Sequence, residues 1–395
     1  MKKAEWINIP VKGWLPDQGD FQNPGETVAT NVIAGPGGYK PISAYGSFHT
    51  VTDGLVTQSY LVKSPKEVLT YDNSAVQRRL ILCGLLRSVY QIRSDLTGTW
   101  STLISATAAG SFVWNIFEYK KRVIINNDSI NTQYISSDPM TVSAEFTTFT
   151  GVDNARYGDT VRDFVVFAYF AVSPPDRKRV RWSAFNNPTN YTQSIATQSD
   201  FQDIEVGNEI TGFVGGEYGT VFLDSAIVRM TYVGPPVIFR FDVVTDKLGC
   251  VIPKSIVKHN KLIYFIGQDD IYKYDGLSVV PLGAYKYVRD LFDNFNVTQL
   301  ERCSAVIDTK RRQYLFAYPR RLSNLPNTIL AVNYDTAQAS QIDITAAFSL
   351  FHFVGDSLSG AAASSIDAMV GFLDAPSSAT SQIAVFGVGA PMPAT

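Results

Sequence analysis

Short apolar stretches recur along this chain. Each is followed by a polar turn of two to four residues and then by a stretch in which apolar and polar residues alternate. Alternation with a period of two marks a half-buried strand. Six clear pairs are RRLILCGLLRSVYQIR (78–93), KRVIINNDSINTQYI (121–135), VRDFVVFAYF with RVRWSAF (161–185), GTVFLDSAIVRMTY (219–232), NKLIYFIGQDDIYKYDG (260–276) and RRQYLFAYP with NTILAVNYD (311–335). A weaker seventh is IDAMVGFLDAP with SQIAVFGV (366–388). The turns NNDS, LDS and GQDD carry the Asn, Asp, Ser and Gly that tight turns need.

The leading strands begin near residues 79, 121, 163, 219, 261, 313 and 366, with gaps of 42, 42, 56, 42, 52 and 53. Four-stranded propeller blades return every ~40–50 residues. The spacing therefore predicts an all-β fold, a β-propeller of about six to eight blades. Segments between the pairs, GTWSTLI (98–104), AEFTTFTGV (144–152) and SVVPLG (278–283), supply outer strands. One helix is expected in AYKYVRDLFDNFN (284–296), where Tyr287, Leu291 and Phe295 share a face. Residues 1–45 hold Pro10, Pro16, Pro24, Pro36 and Pro41 with glycines between them. They read as an extended N-terminal arm or a wrapping strand, with one short strand in ETVATNVI, and residues 46–395 as the propeller domain.

Composition agrees with this reading. Hydrophobic residues make up 45% of the 395 and aromatics 12%, while charged residues reach only 18%, below the usual quarter. Aromatic and β-branched residues suit sheet-to-sheet faces. The formal net charge is −2, so bulk electrostatics do not coat nucleic acid. Cys83, Cys250 and Cys303 are scattered without a CxxC, as expected of buried reduced thiols in a cytosol-made chain. The N-terminus has no apolar signal-peptide core, and no run of 18 apolar residues occurs. The sequons at Asn127, Asn190 and Asn296 then carry no expected glycan.

No catalytic or metal-binding constellation stands out. His49, His259 and His352 have no partner at metal spacing, G-x-S-x-G is absent, and GPGG (35–38) lacks the context of a phosphate loop. A sugar-cleaving propeller would need a carboxylate pair, for which Asp163, Glu209, Asp224, Asp269 and Asp270 are candidates. SDLTGTW (94–100) approaches the Asp-box turn of sialidase-type propellers, but Asp95 stands three residues before Gly98 instead of two. The densest basic run, PPDRKRVR (174–181), makes Arg177, Lys178, Arg179 and Arg181 a candidate subunit-contact or channel loop. TKRRQY (309–314) and YPRR (318–321) form a second basic cluster. In RVRWSAFNNPTNYT (179–192), RVRW reads as a strand end and the remainder as the turn leaving it, with Trp182, Phe185 and Tyr191 on the sheet or at its corner.

The stretch EITGFVGGEYGTVFLDSAIVRMTYVGPP (209–236), followed by LGCVIPKSIVKHNKLIYFIGQDDIYKYDGLSVVPLG (248–283), resembles the nozzle or tail-hub propeller proteins of short-tailed bacteriophages. The matching positions are Ile227, Arg229, Met230, Tyr232 and Gly234, then Gly249, Pro253, Ser255 and Ile256, then Tyr264, Asp275, Gly276, Pro281 and Gly283. LPDQGDFQNPGETVATNVIAGPGGYKPI (15–42) is similar to the opening of those proteins, and the likeness spans roughly residues 10–340. The resemblance implies a structural virion protein and no enzyme: one subunit of a homo-oligomer of six copies around a channel for the genome. It implies portal and adaptor proteins above, transient contact with DNA, assembly in the host cytoplasm, and neither cofactor nor membrane anchor. It implies tail fibres as further partners, although this chain is short for that family. The alternative is a carbohydrate-binding or glycoside-cleaving propeller.

Overall fold

The structure is a computed structural model. It describes residues 13–18, 23–35, 38–52, 64–71, 77–84, 88–93, 101–105, 114–135, 146–148, 154–171, 175–283, 286–344, 348–353, 369–374 and 380–391. Among them lie seven four-stranded antiparallel sheets and one two-stranded hairpin. The sheets are the blades of a propeller. Blade 1 is Ser64–Tyr71, Gln77–Gly84, Ser88–Arg93 and Ser101–Ser105. Blade 2 is Asn115–Tyr119, Arg122–Asn127, Ile130–Ile135 and Phe146–Thr148. Blade 3 is Ala155–Val161, Phe164–Phe170, Asp176–Trp182 and Asp200–Asp203. Blade 4 is Ile210–Val214, Gly219–Leu223, Ile227–Gly234 and Ile238–Thr245. Blade 5 is Val257–His259, Leu262–Ile266, Ile271–Tyr274 and Val279–Pro281. Blade 6 is Ser304–Asp308, Gln313–Tyr318, Thr328–Asn333 and Ala339–Asp343.

Blade 7 closes the ring. Phe348–Phe353, Met369–Asp374 and Thr380–Pro391 come from the C-terminal end, and the fourth strand, Ser43–Thr52, comes from near the N-terminus. That strand pairs antiparallel with the last one, from Ser43↔Pro391 to Thr52↔Thr380. First strands of neighbouring blades touch, including those of blades 7 and 1, so they line the axis.

The seven periodic starts in the sequence all mark second strands. These strands are covered on both faces by adjoining blades, so they read as continuous apolar runs. Phe164–Phe170, Gly219–Leu223 and Gln313–Tyr318 are buried at every position. Aromatic pairs hold the seams. Phe117 meets Phe167 between blades 2 and 3, Phe164 meets Phe239 between blades 3 and 4, and Phe222 meets Phe265 between blades 4 and 5, with ring centroids 5.0–6.0 Å apart. All three cysteines are buried, and none is in a disulfide.

The expected helix is present as Val288–Asn294, with Tyr287, Leu291 and Phe295 buried on one side. The arm ends slightly earlier than residue 45, because Ser43–Thr52 is a propeller strand. Its described part wraps onto its own propeller. Trp14 is buried and stacks on Tyr287, 6.3 Å away and nearly parallel. Asp17 accepts from the backbone N–H groups of Arg289 and Asp290 at the start of the helix. The hairpin Val32–Gly35 with Gly38–Pro41 packs on blade 6, where Gln313, Asn333 and Ser340 donate to the Ala34 and Val32 carbonyls. On the outer edge of that blade the Asn31 N–H donates to the Gln341 carbonyl and the Gln341 N–H to the Ala29 carbonyl.

Candidate functional site

The first strands and the turns that precede them enclose an axial cavity of about 490 Å³. Its wall includes pieces of chain from blades 3, 4, 5 and 6. Arg156 and Tyr157 come from the first strand of blade 3, and Thr211–Val214 from that of blade 4. Lys254 sits in the short 3-10 turn Pro253–Ser255 entering blade 5, and Glu301 in the 3-10 stretch Val297–Arg302 entering blade 6. A second recess shares Trp114, Asn115, Pro253, Lys254 and Ile256 with the first, and adds Lys66, Cys303, Ser304 and Leu350. The two recesses are therefore halves of one axial passage that meet at Lys254.

The turn that carries Lys254 is held from below. Ser255 accepts from the Ile266 N–H at 2.9 Å and donates to the Ile252 carbonyl at 2.6 Å, and its own carbonyl accepts from the Tyr314 hydroxyl at 2.8 Å. Cys250 donates to the same Ile252 carbonyl, and burial pushes its thiol up to about 12. At that value the thiol is a packing group and not a nucleophile.

Arg156 bonds Asp128 at 2.9 Å, lies 4.0 Å from Glu301 and rests over the Tyr169 ring. Lys254 is pushed down to about 8 from 10.5. Burial is the main cause, and repulsion by Arg156 adds to it, against attraction by Glu301 and Cys303. Between pH about 8 and 10.5 the unfolded chain keeps this proton while the folded chain has lost it, so stability rises with pH across that window. Lys254→Met is expected to stabilise the protein at pH 7 by about 1–2 kcal/mol, less than the full shift implies because the side chain keeps some contact with solvent. Denaturant titrations of both proteins from pH 7 to 10.5 should show the gain shrinking towards zero. A difference that does not change with pH would contradict it.

At the other end of the cavity Glu209 meets Arg177 at 3.3 Å, and Asp224 accepts from the Asn208 backbone N–H at 2.8 Å and from its side chain. Burial would raise the Asp224 carboxyl, but the bonds from Asn208 outweigh it and hold the group below the usual carboxylate range. Two of the five carboxylates singled out in the sequence thus share this cavity. The others do not join them. Asp163 pairs with Lys120, Asp269 accepts from the Tyr272 hydroxyl, and Asp270 is fully buried, accepting from the N–H groups of Ile271 and Gly283.

The basic run is a strand and not a loop, and its charges are used within the chain. Arg179 pairs with Asp176 and Asp203, and Arg177 with Glu209. Lys178 donates to the Glu205 and Gly207 carbonyls, and Arg181 to that of Tyr191. None of the four lines the axial cavity. The second basic cluster behaves alike, with Arg311 on Asp308, Arg312 on Asp335, Arg320 near Asp290 and Arg321 on the Asn294 side chain. After the basic strand comes the expected corner. Trp182 and Tyr191 are buried, Asn187 and Asn190 accept from the Thr189 and Thr192 N–H groups, and Phe185 stays half exposed against Phe164. His259 ends a strand beside Tyr334. The near Asp-box at 94–100 lies outside the described residues, as do the side chains of His49 and His352. Among the described residues no cluster of His, Cys, Asp and Glu could hold a metal, and no helix is long and apolar enough to cross a membrane.

No protein-family model matches the sequence, and no curated protein matches it. Among solved structures the chain is similar to BBS1N in a crystal structure with ARL6DN soaked with mercury, with a TM-score of 0.49 and 11% identity over 89% of this chain and 99% of that one. It is similar to a chain of the mitotic checkpoint complex, at 0.46 and 9% over 86% and 93%. It is also similar to virginiamycin B lyase from Staphylococcus aureus, at 0.46 and 10% over 87% and 99%. These likenesses concern the fold alone.

Proposed function

We propose that this chain is a structural subunit of a short-tailed phage tail, part of a nozzle or hub ring below the portal and adaptor. The observation that carries this reading is the use to which the family-like positions are put. Several of them tie blades 4 and 5 together or brace the turn between them, and none is a titratable group in the axial cavity. Arg229 donates to the Gly276 carbonyl across the seam and lies over the Tyr218 ring. Gly276 has φ +97°, and a side chain there would collide with the Tyr218 hydroxyl. Asp275 fixes the same turn by accepting from the N–H groups of Leu277 and Ser278. Ser255 locks the turn into blade 5. Such residues specify a rigid unit and not a reaction.

A cavity of about 490 Å³ is the size of a small-molecule pocket and cannot pass a duplex. The genome channel of this proposal therefore runs between copies, on the axis of a multi-chain ring, with adaptor and tail fibres as further partners. A glycosidase reading would need one carboxyl held protonated at neutral pH. Asp224 is displaced the opposite way and could fill only the ionised role, and Glu209 is ion-paired to Arg177. Negative-stain images of the purified chain are expected to show rings of several subunits around an opening. Isolated single propellers at every concentration tried would count against the proposal.

A further inference from the structure

Three neighbouring blades carry outer connections without charge. The chain between the third and fourth strands of blade 3 (183–199), the matching hairpin of blade 4 (231–239) and the turn and outer strand of blade 5 (276–283) hold no Asp, Glu, Lys or Arg. They lie at the same end of the propeller as the turns between first and second strands, because the strands alternate in direction. Those inner turns are charged, with Lys120 and Lys121, Arg162 and Asp163, Glu217, Lys261 and Lys310–Arg312. On the outer part of this end apolar side chains face water instead. Ile195, Val237 and Leu277 are 69%, 61% and 79% exposed, and Phe185, Val233 and Val280 are half exposed. The strip is continuous across the blades. Phe185 packs on Phe164, which meets Tyr232, Tyr232 donates to the Gln198 side chain at 2.9 Å, and Arg229 donates to the Gly276 carbonyl at 3.0 Å. Six side chains at these exposures present on the order of 600 Å², the upper end for the largest patch of a monomer and most of the ~800 Å² that each partner gives to a stable interface. Cores of interfaces are depleted of charge in the same way.

A projection of matching character stands at the opposite end, on blade 6. Leu322 is 96% exposed in the loop between the second and third strands, and Val297, also exposed, begins the 3-10 stretch beside it. The loop is tied down on both sides. Asn296 donates to the Ser323 carbonyl at 2.9 Å, Arg302 to the Asn324 carbonyl, and the Arg320 N–H to the Asn327 side chain at 2.8 Å. Leu322 is thus held out in water on a fixed support. Among the described residues Arg302 and Arg321 beside it bond only neutral groups, and so do Asp200 and Asp275 at the two ends of the strip. Asp343 and Lys273 offset one charge on each side, which leaves the projection positive and the strip negative. We propose that the strip is covered by the Leu322 projection of a second copy of this chain, joined head to tail. This rests on the reading of the chain as a ring subunit and names the surfaces that join its copies. A contact between unlike surfaces leaves one strip and one projection open on every pair, so copies add until a ring closes.

The test is sedimentation of the full chain beside two variants, Leu322→Glu, which spoils the projection, and Ile195→Glu combined with Val237→Glu, which charges the strip. All three positions are exposed, so melting temperatures should stay near that of the parent, and Leu277→Glu replaces the double variant if that one is unfolded. Each variant alone is expected to associate at least about tenfold more weakly than the parent. Mixed in equal amounts the two should form a one-to-one pair, because one strip and one projection remain intact between them. A variant that assembles as the parent does, or a mixture without pairs, overturns the proposal. Loss of assembly in the strip variant with Leu322→Glu unaffected also overturns it, since strip would then meet strip about a two-fold axis. A parent chain that stays single at every concentration overturns the ring reading and this contact with it, whereas a parent that assembles beside unaffected variants overturns this contact alone.

Discussion

A chain that begins at residue 53 is expected not to fold cooperatively, whereas one that begins at residue 43 is expected to fold with reduced stability. The difference is the strand Ser43–Thr52. It supplies the fourth strand of blade 7 and pairs along almost its whole length with Thr380–Pro391. Without it the last strand becomes a free edge, and the two ends of the ring keep only the packing between the first strands of blades 7 and 1 and lose their hydrogen-bonded closure. Exposed edges of that length invite pairing with other chains. The loss is expected to be on the order of 5 kcal/mol or more, comparable with the whole stability margin of a typical domain. The shorter truncation removes the arm, and with it the burial of Trp14 and the bonds of Asp17 to the helix, but leaves the ring closed. Thermal unfolding monitored by circular dichroism separates the two cases. Equal cooperativity in both truncations would show that closure contributes little.

Gly249→Ala is the second large effect, with an expected cost of about 3 kcal/mol. A Cβ at Gly249 would fall far inside contact distance of the Leu223 carbonyl oxygen, the Ser225 nitrogen and the Asp224 carbonyl carbon. All three belong to backbone, so no rotamer change can relieve the clash. The displaced turn also carries Asp224, and the adjoining Cys250 N–H donates to Leu223 at 2.9 Å, so the seam between blades 4 and 5 must open. Gly35→Ala is the matched control. Its Cβ would meet only the Gly38 carbonyl oxygen at 3.7 Å, an ordinary contact, and its expected cost is below about 1 kcal/mol. Denaturation midpoints compare the pair, and equal losses would contradict the crowding argument.

The sequence exposed the blades through their second strands because those strands are apolar on both faces. Phe164–Phe170 and Gln313–Tyr318 show this most plainly. First strands were harder to see. Ala155–Val161 reads ARYGDTV, with polar residues turned to the axis, and Val257–His259 spans three residues. The pairing of Ser43–Thr52 with the other end of the chain leaves no local trace at all, so the arm appeared longer than it is. The cavity was mostly hidden for the same reason. Arg156, Thr211, Lys254 and Glu301 meet only because a closed ring brings separate blades to one axis. Glu209 and Asp224 were candidates as carboxylates beside hairpins, without any sign that they share a pocket. The basic run 177–181 stands out as a charge cluster, but of its partners only Asp176 is its neighbour in sequence, while Asp203 and Glu209 lie on segments that only the fold brings alongside.

The proposal that this propeller is a building block stands most directly on the mass of the full chain in solution. Sedimentation equilibrium across micromolar concentrations should return a closed assembly of several chains, six for the ring expected of a tail nozzle. A single-chain mass over the whole range would contradict it.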